Sequence, residues 1–136
     1  MKTFTILKPD TLQARNAGAV ISKLEKEGFR ICAMKMLHLT ERQAQGFYYV
    51  HKERPFFGSL VKFMTESPVM LMALEADNAI ENLRRVMGAT DPDKADAGTV
   101  RKQFGTNIER NAIHGSDGPE TAAFEISYFF SQLEIV

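Results

Sequence analysis

Cysteine is almost missing from this 136-residue chain, and that sets the first limit. The single thiol, Cys32, has no partner for an internal disulfide. Its place in the apolar stretch 29–39 suits a small core residue better than a reactive one. One cysteine and 3 scattered histidines give no zinc-ligand spacing. Charge of either sign is in no excess: 17 Lys and Arg face 17 Asp and Glu, so the basic surplus of a general nucleic-acid binder is absent, local basic clusters being a separate matter. No apolar run approaches the roughly 20 residues of a membrane span. Residues 1–7 are too short for the apolar segment of a secretion signal and carry no cleavage pattern, which makes the cytoplasm the expected address. There is no Gly-x-x-x-x-Gly-Lys-Ser/Thr loop and no protein-kinase motif set, so any phosphate would have to be held by side chains. Repeats, low-complexity tracts and Ser/Gly linkers are also lacking.

What is present is an ordinary globular composition, 44% hydrophobic and 25% charged, which suits a single domain over residues 1–136. The pattern alternates between strand and helix periods. Residues 3–7 read as a strand stopped by Lys8-Pro9-Asp10. Asn16 offers a cap for a helix burying Val20, Ile21 and Leu24, and Gly28 ends it. Residues 29–39 form the second strand. Thr40 to Gln43 is a capping box, and Pro55 suits the first position of a helix whose apolar stripe is Phe56, Leu60, Phe63 and Met64. Residues 69–75 are the third strand, followed by a helix capped by Asp77 and ended by Gly88. A long polar loop covers 88–98, and loops of that length in compact domains are usually functional or disordered. A short fourth strand is expected near 111–114, and Pro119 opens the last helix. The order reads as an α+β, ferredoxin-like βαββαβ chain: an antiparallel four-stranded sheet with helices on one face and an inserted helical pair.

The most informative stretch is Asn111-Ala112-Ile113-His114-Gly115-Ser116-Asp117. Glycine after the histidine lets a bulky ligand approach the backbone, and the following helix start favours anions. A capped turn with an exposed histidine is the plainer alternative. Glu125 bears on the choice, because Ala122, Glu125 and Phe129 share one helix side with the apolar stripe. A carboxylate facing a core needs a partner, and His114 is the nearest polar candidate along the chain; the rival reading sends Glu125 out to solvent. A carboxylate bonded to one imidazole nitrogen leaves the other as a nucleophile, and phosphate is an electrophile that accepts nitrogen attack. Lys8, Arg84, Arg85 and Arg101 are candidate phosphate holders, although each taken alone is more often a solvated surface charge. Phe56 and Phe57, near Lys52 and Arg54, belong either to the core or beneath a nucleobase. Tyr48 either donates to a phosphate or plugs the core.

The stretch 111–117 fits the signature Asn-x-x-His-Gly-Ser-Asp, and with it the chain resembles the nucleoside diphosphate kinases. Thr5-Ile6-Leu7-Lys8-Pro9-Asp10 is similar to that family's first strand and lysine. Arg54-Pro55-Phe56-Phe57-Gly58-Ser59-Leu60-Val61 is similar to its nucleotide-gripping helix. Gly88-Ala89-Thr90-Asp91-Pro92 and Ala97-Gly98-Thr99-Val100-Arg101 are similar to the two ends of its phosphate loop, all in family order. The resemblance implies ping-pong transfer of a γ-phosphate from a nucleoside triphosphate to a nucleoside diphosphate through phosphorylated His114. It implies ribose contacts from Lys8 and Asn111, phosphate contacts from Arg84, Thr90 and Arg101, and a base on Phe56 bordered by Ile108. Tyr48 would orient Lys8 and the phosphate, and Glu125 would hold the His114 ring. Magnesium (Mg2+) would arrive with the nucleotide rather than in a protein cage. Gly118-Pro119 departs from the commoner pattern in a way a first helical turn accommodates. His51 occupies a position that varies in the family. A homo-oligomer, tetramer or hexamer, is implied, with no nucleic acid or membrane partner. The rivals are an inactive nucleotide- or protein-binding module of the same fold, and a ferredoxin-like RNA binder, which neutral charge and the lack of an aromatic RNA-binding strand disfavour.

Overall fold

The computed structural model describes residues 1–136. Four strands, β1 (Lys2–Leu7), β2 (Arg30–Leu37), β3 (Val69–Glu75) and β4 (Ile113–Gly115), form one antiparallel sheet in the order β2-β3-β1-β4. Seven helices accompany them: α1 (Pro9–Gln13), α2 (Ala17–Lys26), α3 (Glu41–Phe47), α4 (Phe57–Met64), α5 (Ala79–Met87), α6 (Val100–Phe104) and α7 (Pro119–Phe129). No helix is long and apolar enough to cross a membrane. The ferredoxin-like order expected from the sequence is found.

The helices of the two βαβ units, α2 and α5, lie on one face, where Val20, Leu24, Leu83 and Met87 pack with Leu7, Met72, Leu74 and Ile113. The expectation of helices on one face alone needs extending, because the other face is covered as well. There α3, α4 and the end of α7 bring Phe47, Val61, Met64 and Phe130 onto Phe4, Ile6, Leu71 and Ala73. The reason lies in β1, which is buried from Thr3 to Leu7: successive side chains point to opposite faces, so Phe4 and Ile6 are covered by one layer and Thr3, Thr5 and Leu7 by the other.

Local signals held in most places. Thr40 and Gln43 form the reciprocal capping box, and Gly28 and Gly88 take the positive φ that ends α2 and α5. Other boundaries moved. Pro55 lies in a turn and α4 begins at Phe57. The cap of α5 is Asn78, in the left-handed region at φ 47°, while Asp77 contributes only its carbonyl to Asn82. Lys8-Pro9-Asp10 leads into the short helix α1 rather than a bare turn. The unexpected α6 starts at Thr99, whose hydroxyl accepts from Lys102 N–H. Strand β4 begins two residues late because Ala112 has φ 75° and cannot join a ladder.

This frame sets His114 on β4 opposite Ile6 of β1, with its carbonyl held by the Thr5 hydroxyl at 2.7 Å. Phe4 lies behind the site, fully buried and packed against Phe47, Phe129, Phe130 and the His114 ring. Phe4→Ala is expected to cost about 3–5 kcal/mol of folding stability, read as a lower denaturant midpoint with an unchanged slope. A midpoint equal to the parent's would show that this contact set does not support the sheet.

Candidate active site

A cleft of about 580 Å³ opens at one end of the sheet, a size that suits a small-molecule site. His114, Glu125, Lys8, Tyr48, Phe56, Arg84, Thr90, Arg101, Asn111 and Ile108 all line it. They come from β4, α5, α6, α7 and the segments between elements, so only folding brings them together.

Glu125 faces inward as its helix position predicted and is 9% exposed. Its Oε1 lies 2.9 Å from His114 Nε2 and accepts the Ser116 hydroxyl at 2.6 Å. A carboxylate can only accept, so Nε2 carries the hydrogen and Nδ1 is left with a lone pair and no protein partner. The ring is packed edge-on by Phe47 and Tyr48, at centroid distances of 5.4 and 6.3 Å, which restricts its rotation. Gly115 beside it has a structural task as well: a Cβ there would stand 2.5 Å from Met87 Sδ and 3.0 Å from Leu83 Cδ2, so the glycine lets α5 pack directly on β4. Close approach by a ligand is therefore not the only reason for glycine at this position.

The cations are held by the protein before anything binds. Lys8 leaves the end of β1 and donates to Asn111 Oδ1 at 2.8 Å, while Asn111 Nδ2 donates to the Thr90 carbonyl at 3.0 Å. Burial, with Arg101 as a second and like charge nearby, lowers the Lys8 pKa from 10.5 to about 8. Arg101 donates from Nη1 to the Gly88 carbonyl at 3.1 Å and from Nη2 to the Ile113 carbonyl at 2.9 Å, and its buried Nε has no partner. Burial and then Arg84 lower its pKa to about 10. Arg84 makes only a long contact to the Gly115 carbonyl, 3.5 Å, and keeps most of its donors free.

Two expectations change in detail. Lys8 is oriented by Asn111, not by Tyr48, whose hydroxyl is buried without a hydrogen-bond partner and whose pKa burial pushes upward. Phe56 is not core: it stands 46% exposed just before α4, with the His51 ring at 5.5 Å, and Ile108 is exposed at the same cleft. Arg85 does not line the cleft and instead pairs with Glu27 at 3.3 Å. The sequence reading passed over Glu109, which lines the cleft and accepts from Ser59 at 3.0 Å, and Thr121, which donates to Asp117 at 2.7 Å. A single acidic residue in a loop carries no local signal that would reveal such a role.

An oriented imidazole with one free nitrogen, among buried lysine and arginine side chains and beside an exposed aromatic ring, is suited to taking a phosphoryl group from a nucleotide. The comparisons with known proteins agree. A family model described as nucleoside diphosphate kinase matches residues 1–135. The nucleoside diphosphate kinases of Geotalea uraniireducens and Geobacter sulfurreducens are 58% and 56% identical over 135 residues, covering 99% of this chain and 98% of theirs. The solved structure of the Aquifex aeolicus nucleoside diphosphate kinase superposes with a TM-score of 0.97 at 45% identity, over 99% of this chain and 98% of that one. The halophilic enzyme from Halobacterium salinarum, solved in complex with CDP, gives 0.96 at 36% identity, over 100% and 91%.

The geometry predicts one tautomer. In a long-range nitrogen–proton NMR spectrum of the neutral ring, Nε2 of His114 is expected to carry the proton and Nδ1 to be bare. Glu125→Ala removes the selecting acceptor and is expected to yield a mixture. A parent spectrum with the proton on Nδ1 would contradict the arrangement.

Proposed function

The chain belongs to the nucleoside diphosphate kinase family and is a nucleotide phosphotransferase, and from that premise we propose that His114 Nδ1 carries the phosphoryl group between two nucleotides. The observation that carries this reading is the 2.9 Å contact of Nε2 with Glu125, which leaves Nδ1 free in the cleft shared with Lys8, Arg84 and Arg101.

In this mechanism a nucleoside triphosphate enters with its base on Phe56, bordered by Ile108, and its ribose hydroxyls at Lys8 and Asn111. Arg84, Thr90 and Arg101 take the β- and γ-phosphates. Nδ1 attacks the γ-phosphorus, the bond from phosphorus to the bridging oxygen breaks, and its electron pair leaves with the diphosphate. The imidazole becomes positively charged as it bonds phosphorus, and Glu125 offsets that charge through Nε2–H. A second nucleoside diphosphate then attacks the phosphorus through a terminal β-oxygen, the N–P bond breaks, and the neutral ring returns. The CDP bound to the Halobacterium relative supports a diphosphate as the acceptor. Phosphoryl transfer needs mainly positioning and countercharge, and anchored cations supply both. Tyr48 keeps its proton and has no partner in the protein, which supports a role as donor to a phosphate oxygen.

Magnesium would come bound to the phosphates. No group of three or more His, Cys, Asp or Glu side chains forms a metal cage. Of the cleft carboxylates, Glu125 is engaged by His114 and Ser116, Glu109 by Ser59 and Asp117 by Thr121 through one oxygen, so exposed Asp117 would be the one to face an ion carried in on the phosphates. When bound, the ion would neutralise phosphate charge. Self-association into a tetramer or hexamer belongs to the same reading: β2 is an edge strand with exposed Met34 and Met36, a margin that a second copy would cover. We place the activity in the cytoplasm, where it would meet the bulk nucleotide pool. The inactive-module alternative is disfavoured because His114 keeps both its oriented ring and its free nitrogen.

Incubation with γ-labelled ATP is expected to leave acid-labile phosphate on the protein, removable by a diphosphate. His114→Ala is expected to keep the fold, by circular dichroism, and to take no label; label on that variant would sink the mechanism. A second expectation concerns pH. Lys8 loses its charge as pH rises through about 8, instead of near the ordinary 10.5, so a cation that meets the nucleotide disappears early. ADP affinity is therefore expected to fall roughly tenfold between pH 7 and pH 9, by calorimetry, as one such group titrates. Lys8→Met is expected to bind more weakly with a flatter profile, and the parent's fall persisting in it would exclude Lys8 as the cause.

A further inference from the structure

Between Asn111 and His114 the chain makes a turn that its residues do not favour. Ala112 is fully buried, is not glycine, and has φ 75°. Ile113 N–H donates to the Asn111 carbonyl at 2.9 Å, which closes a three-residue γ-turn around Ala112. The positive-φ form of that turn is rare and strained, and such backbone persists only where its surroundings over-determine it.

Here the surroundings are one short segment, the exit of β1 into α1. Lys8 N–H donates to the Ala112 carbonyl at 2.9 Å, and the Thr11 hydroxyl donates to the same oxygen at 2.8 Å. Asp10 Oδ2 accepts the Ala112 N–H at 3.0 Å. Both backbone polar groups of Ala112 are thus held from a segment about a hundred residues away, and two of the three bonds come from side chains. Asp10 is kept at a cost. Its other oxygen, Oδ1, is buried without a partner, and burial pushes its pKa up. A carboxylate retained on those terms has a purpose beyond solvation.

We propose that Asp10 and Thr11 are positioning residues for phosphoryl transfer: they hold Ala112 in its strained turn, so that Asn111 and His114 enter the cleft from fixed directions. The proposal rests on His114 as the phosphoryl carrier. It assigns a function to a loop whose lysine alone faces the cleft, since neither Asp10 nor Thr11 lines it.

The test is the rapid-quench rate of phosphoryl uptake from ATP, measured well below the melting temperature. Asp10→Ala is expected to slow uptake by roughly 10- to 100-fold, the scale of a misdirected reacting group. Asp10→Asn, whose amide oxygen still accepts the Ala112 N–H, is expected to recover most of the rate. Adding Ala112→Gly to Asp10→Ala is expected to recover part of it, because glycine adopts positive φ unaided. Recovery by Ala112→Gly would not follow from lost stability alone. Uptake by Asp10→Ala at the parent rate, or a loss that neither change reverses, overturns the clamp. If Asp10→Ala fails to fold, Thr11→Val decides: slowed uptake supports the clamp and the parent rate overturns it. Absence of phosphate on the parent protein instead overturns the His114 reading, so the two failures are distinct.

Discussion

The site depends on one partly buried hydrogen bond, between the His114 imidazole and the Glu125 carboxylate. In water such a pair would be worth little and would hold no direction. Here it is walled by Phe4, Phe47 and Tyr48 and shares its acceptor oxygen with Ser116. Low local polarity strengthens the bond and makes any rotation of the ring costly. Burying a carboxylate is tolerable only because two donors meet it, so the histidine, the serine and the glutamate stand or fall as a unit.

The rest of the fold can be understood as the support for that unit. The sheet places His114 beside β1, and the two helical layers keep water from the ring's flanks. The same burial works against Lys8 and Arg101, whose charged forms are disfavoured. Their polar groups are tied to Asn111 and to backbone carbonyls, so the cost is carried before a ligand arrives. On the proposed reading, an incoming polyphosphate would relieve the mutual repulsion of these cations. The site therefore spends folding stability on a charge arrangement complementary to phosphate, which is the usual form of electrostatic preorganisation.

Much of this was legible in the order of residues. Alternation in β1, the apolar run of β3, the Thr40 capping box and the Gly28 and Gly88 stops are all short-range signals, and short-range signals survive in sequence. Helical spacing put Glu125 on the inner side but left the solvent-facing alternative open, and its burial decides between them. Less could be read where tertiary contacts override local preference. Pro55 fits a helix start but lies in a turn before α4, and Asp77 would cap α5 but yields to a left-handed Asn78. Phe56 and Phe57 could not be told apart by type, yet the first is exposed at the cleft and the second packs against the core. Glu109 gave no signal because its partner Ser59 lies on another element; Thr121 bonds locally to Asp117 and Gly118, and only its place at the cleft needed the fold.

Sequence alone determined the four strands, the longer helices, their order and the inventory of reactive side chains, because these depend on periodicity and turn chemistry over a few residues. Only tertiary structure decided which histidine nitrogen is free, that Lys8 meets Asn111 across 103 positions, and that Ala112 is forced into a strained turn from the far end of the chain. Those outcomes depend on distances between segments remote in sequence, and such distances exist only once the sheet has closed and the helices have packed on both of its faces.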